Sequence, residues 1–72
     1  MDEQKMVHRA NQIADYFQAY PESRAVAEIR THIRKFWEPR IRAQLLDYSG
    51  DELHPLVQKA VEELRAEAEK PA

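Results

Sequence analysis

His32-Ile33-Arg34-Lys35-Phe36-Trp37-Glu38-Pro39-Arg40-Ile41-Arg42 is the stretch on which the fold of this chain turns. Upstream, Val26, Ile29, Ile33 and Phe36 are spaced by three and four residues, the mark of one helical face. Downstream the apolar positions are Ile41, Leu45 and Tyr48, and a step of four back from Ile41 lands on Trp37. Adjacent residues on an α-helix lie about 100° apart, so Phe36 and Trp37 cannot share one stripe. The apolar phase therefore slips at Trp37, two residues before a proline. Pro39 lacks a backbone donor and its ring would clash with the carbonyl of Lys35. Glu38 is a poor N-cap, so the stretch predicts a sharp kink or a tight break, not a long loop.

The remaining pattern is helical too. Met6, Ala10, Ile13, Phe17 and Tyr20 form an earlier stripe, and Pro21 marks the boundary after it. Ser49-Gly50-Asp51 is the clearest loop signal. A last helix is expected near Pro55, with Leu56, Val57, Ala60, Val61 and Leu64 as its apolar band and His54 in a cap position. The predicted architecture is all-α: a small three- to four-helix bundle with a kink or break at Pro39. It forms one helical domain over residues 1–72, with 1–4 and 66–72 expected to fray. The single glycine and the plentiful alanine, glutamate, arginine and leucine fit that class.

Seventy-two residues give only a marginal core. There is no cysteine, which removes disulfides and thiolate metal sites and fits a reducing compartment. No apolar run approaches the roughly 20 residues of a membrane span, and Met-Asp-Glu-Gln-Lys lacks a signal segment. The expectation is a cytoplasmic protein with no membrane association.

Catalysis and cofactor binding find little to work with. His8, His32 and His54 lie on different segments, none with a second histidine at helical spacing, so solvent-exposed or capping roles outweigh a metal site. Ser23 and Ser49 have no nearby histidine, and one glycine cannot build a phosphate-cradling loop. Glu62-Glu63 reads as a solvated helix face. The chain is expected to be no enzyme, with no catalytic, cofactor-binding or metal residues of its own.

Charge is unevenly spread. Residues 24–42 carry six Lys/Arg against two Glu, whereas residues 47–70 carry seven Asp/Glu against three Lys/Arg. That polarity implies internal charge pairing or a partner with complementary patches. A helix-turn-helix reader of nucleic acid could use Arg30, Arg34, Lys35, Arg40 and Arg42. Against it stand a pI near 5.9, interruption of the patch by Glu28 and Glu38, and an acidic second half that repels phosphates. A bland alternative for the same cations is a solvated face with Arg34–Glu38 and Glu38–Arg42 as i, i+4 pairs.

The same blocks resemble a known family. Arg9-Ala10-Asn11-Gln12-Ile13 through Tyr16-Phe17, the central His-Ile-x-x-Phe-Trp-x-Pro-Arg and His54-Pro55-Leu56-Val57 are similar to the delta subunit of soluble NAD-dependent, molybdenum-containing formate dehydrogenases. In the central block His32, Ile33, Phe36, Trp37, Pro39 and Arg40 match in place, with Ile41 where methionine is common. His54 stands where the family usually has a serine cap. The likeness runs from about Met6 to Leu64. It implies a non-catalytic accessory subunit without a cofactor, supporting assembly, stability or maturation of the molybdenum enzyme. The larger subunits, the catalytic alpha subunit foremost as partner, would carry molybdopterin-guanine dinucleotide, iron–sulfur clusters and FMN. A small helical nucleic-acid-binding or regulatory protein is the alternative.

Arg34, Lys35, Trp37, Pro39, Arg40 and Arg42 are the expected partner-docking residues, because tryptophan and arginine are enriched at interface hot spots. Trp37 also suits a core plug where helices cross, and the residues alone leave both roles open.

Overall fold

The computed structural model describes residues 2–69. Four helices follow one another: α1 (Glu3–Phe17), α2 (Glu22–Phe36), α3 (Pro39–Asp47) and α4 (Pro55–Glu69). There is no strand among the described residues. Residues 3–4 and 66–69, expected to fray, are helical; Met1 and residues 70–72 lie outside the described residues. Asp2 explains the firm start, since its carboxylate accepts a hydrogen bond from the Lys5 N–H at 2.9 Å. Glu3 in the first turn adds the charge that the helix dipole favours there.

The prolines set the boundaries. Pro21 is the N-cap of α2, and its carbonyl accepts from the Ala25 N–H at 2.9 Å. At the decisive stretch the chain breaks instead of kinking. α2 ends at Phe36, and Trp37 closes it with φ −90° and ψ 135°, an extended conformation. Glu38 follows at ψ 145°, the conformation that a succeeding proline ring imposes, and Pro39 opens α3. Glu38 is the N-cap of α3, its carbonyl accepting from the Arg42 N–H at 2.8 Å, so its helical i, i+4 spacing to Arg34 is lost. No ion pair joins Glu38 to either among the described residues.

One hydrophobic core runs through all four helices. Met6, Ala10 and Ile13 come from α1, Val26, Ile29 and Ile33 from α2, Leu45 from α3, and Val57, Ala60, Val61 and Leu64 from α4. Val7, Ala14 and Ala25 are buried as well, so the bands on α1 and α2 are wider than the stripes read from the sequence. α2 packs most extensively against α4, with α1 alongside both and α3 against α1 and α4.

Two members of the predicted stripes end up outside. Phe36 is 71% exposed and Tyr20 40% exposed. The reason at Phe36 is the break. After Ile33 the inward position falls near residues 36 and 37, and the extended backbone at Trp37 gives that place to the indole, 7% exposed.

Candidate partner-docking surface

The residues expected to dock divide once their positions are known. Trp37 is buried in the core. Arg34 turns toward α4, its Nη2 2.5 Å from both carboxylate oxygens of Glu67. Arg42 donates from Nη1 to the Arg34 carbonyl at 3.3 Å, so it helps to hold the end of α2. Lys35, Pro39 and Arg40 are exposed beside the break. The structure thus brings Arg34 and Arg42 together but commits both to internal contacts.

The uneven charge resolves in the same way. Arg30 pairs with Glu63, Arg34 with Glu67, and Lys59 with Glu22 at 2.5 Å, three links across the α2–α4 seam. Arg30 and Arg34 of the basic segment thus meet Glu63 and Glu67 of the acidic last helix, while Lys59–Glu22 runs with the opposite polarity.

On another face, α1 and α2 leave an open groove of about 410 Å³. Ile13, Phe17 and Trp37 lie among its walls, with Tyr16 and Phe36 rising from the two helices and Arg9, Gln12 and His32 supplying polar groups. Tyr16 is 76% exposed and meets Phe17 edge-on, ring centroids 4.9 Å apart. His32 stacks obliquely on Phe36, also at 4.9 Å. Phe17 continues to Tyr20 at 5.9 Å, and Arg24 lies 4.6 Å above the Tyr20 ring. Spacing explains the shared face: Arg9, Gln12 and Tyr16 step by three and four along α1, as His32 and Phe36 step by four along α2. The sequence held the clue, since Phe36 and Trp37 cannot both face inward, and the one given to the α2 stripe is the one left outside.

Other polar residues serve the scaffold. The Asn11 amide donates to the Glu52 carbonyl at 2.9 Å and accepts from the His54 N–H at 2.8 Å, tying α1 to the loop before α4. His54 caps α4 as expected, its Nδ1 accepting from the Leu56 N–H at 3.1 Å. Arg65 donates from Nε to the Leu46 carbonyl and from Nη2 to the Tyr48 carbonyl, both at 2.7 Å, and so seals the C-terminal end of α3. Among the described residues no group of three or more His, Asp or Glu could hold a metal ion. No helix there is long and apolar enough to cross a membrane.

The family model described as the NADH-dependent formate dehydrogenase delta subunit FdsD matches residues 5–61. The chain belongs to this delta-subunit family. The matched span takes in α1 from Lys5 onward, α2, α3 and the first turns of α4, and with them both the Trp37 break and the aromatic groove. Glu63 and Glu67, which receive Arg30 and Arg34, lie beyond it. No curated protein and no solved structure matches the chain.

Proposed function

We propose that the chain is a non-catalytic accessory subunit of an NAD-dependent formate dehydrogenase. It docks on a larger subunit, the catalytic alpha subunit foremost, and supports assembly, stability or maturation of the molybdenum enzyme in the cytoplasm. The observation that carries this reading is the delta-subunit family match over residues 5–61. The cofactors of the reaction (molybdopterin-guanine dinucleotide, iron–sulfur clusters and FMN) belong to the partner subunits. With no cysteine, this chain cannot supply thiolates to a cluster.

The docking surface centres on the α2–α3 break. Lys35 and Arg40 are its exposed cations, Pro39 fixes the backbone between them, and Trp37 packs the break from below. Arg34, itself exposed, and the half-buried Arg42 border this surface and are held by their internal contacts. The nucleic-acid reading loses ground for the same reason. Arg30 and Arg34 face carboxylates of α4, and a phosphate backbone would have to compete with them.

Co-expression of a tagged chain with the larger formate dehydrogenase subunits tests the proposal. The expected result is co-purification, with a lower yield of active, molybdenum-loaded enzyme when the chain is omitted. Absence of co-purification together with unchanged activity and molybdenum content on omission would overturn it.

A further inference from the structure

We infer that the groove between α1 and α2 seats one apolar segment of a larger formate dehydrogenase subunit, carrying an acidic side chain that meets Arg9. This rests on the accessory-subunit reading and names the contact through which that role is exercised. Among the described residues Tyr16 and Phe36, 76% and 71% exposed, are the two most exposed of the large hydrophobic side chains, and both line this one groove. A core this small gains nothing from holding two aromatic rings in water, whereas a partner that covers them gains their full burial.

The chemistry of the occupant follows from the lining. Among the described residues no carboxylate lines the groove, and the one permanent charge lining it is the Arg9 guanidinium, with His32 and Gln12 as the other polar groups. Arginine paired with a carboxylate at the edge of an aromatic cleft is a favourable rim contact that fixes register.

Size argues for a single segment and against a second copy of this chain. A stable dimer interface takes about 20–30 residues a side. The groove is about 410 Å³ and is framed by parts of two helices, room for a few side chains from one helix or strand. Its position is also apt, because the buried indole of Trp37 forms part of the wall and joins the groove to the α2–α3 break.

The test uses the co-expressed complex and three variants: Tyr16→Ala/Phe36→Ala, Arg9→Glu, and Asp15→Lys as a control on exposed α1 surface outside the groove lining. We expect the first to reduce co-purification at least tenfold and the second several-fold, with the control unchanged. The free variants should keep wild-type helicity and thermal midpoint. Co-purification of wild type with undiminished capture of Tyr16→Ala/Phe36→Ala would overturn the groove while leaving the accessory role standing. Failure of wild type itself to co-purify would instead strike the accessory role. Undiminished capture of Arg9→Glu alone would refute the acidic character of the segment. A dimer of the isolated chain in light scattering, dissolved by Tyr16→Ala/Phe36→Ala, would overturn the proposal in favour of a second copy.

Discussion

Trp37 is one of two large aromatics at the break, and the two behave oppositely. Its indole is 7% exposed within the core, so Trp37→Ala leaves a cavity as well as losing burial. The expected cost is about 3–5 kcal/mol, out of a total stability of about 5–10 for a domain of this size. Chemical denaturation of the free chain should show most of its stability gone. Phe36→Ser, one position away, should change stability by less than about 0.5 kcal/mol in the same assay. Gly50 offers a second contrast. Its φ is not positive, so any residue fits its backbone, but an added Cβ would run into the ring of Tyr48. That ring is itself buried and has little room to retreat. Gly50→Ala should therefore cost about 1–3 kcal/mol by overpacking, read as a lower denaturation midpoint.

At the level of helices and their connections, side chains from one element finish another. Arg65 of α4 takes two carbonyls at the end of α3, and Arg65→Ala would leave them to weaker partners at a cost of about 1–3 kcal/mol. Asn11 holds the loop before α4 by the His54 N–H, so Asn11→Ala should speed hydrogen exchange at that loop amide well before the helices are affected. Unaltered exchange at His54 would mean the loop keeps its form without the amide. These cross-element contacts were not legible in the sequence, because they join residues such as Asn11 and His54 that no local period links. An all-helical chain of three or four helices, the boundaries at the prolines and the slip at Trp37 were legible, since proline and the three-and-four spacing act within a few residues, whereas the choice between a kink and a break at Pro39 was not. What spacing could not settle was which aromatic turns inward at a broken helix. That depended on the extended backbone after Phe36, a product of Glu38 preceding proline.

Over the whole molecule, the net charge of −2 conceals a seam where opposite charges meet. Arg30–Glu63, Arg34–Glu67 and Lys59–Glu22 are partly exposed pairs, each worth about 0–1 kcal/mol and screened by salt. Raising sodium chloride to about 1 M, where the screening length falls to about 3 Å, should therefore lower the thermal midpoint only slightly. A loss of the folded state in salt would show that the seam matters more than the core. Substitutions at the proposed docking surface inherit this geometry. Arg40→Glu, on an exposed residue, should cost the free fold less than about 0.5 kcal/mol. Arg34→Glu sets two carboxylates against each other at Glu67 and costs more, so a docking defect in that variant needs a stability measurement beside it.

The break at Trp37 also divides the molecule in time. It makes α3 an independent helix of nine residues, shorter than the 12–15 that a helix needs to persist on its own in water. Of its residues only Leu45 is buried, and Arg65 pins its end from α4. α3 is thus the part of the fold that can open by itself while α1, α2 and α4 stay packed. Native-state hydrogen exchange should show two tiers, with α3 amides released at a lower free energy than those of α2 and α4. Equal protection throughout would mean that α3, with the buried side chains Trp37, Leu45 and Tyr48 in and beside it, opens only with the whole. If the tiers separate, the α1 and α2 walls of the aromatic groove stay in place through such excursions, and Trp37 is the one lining residue at the moving edge.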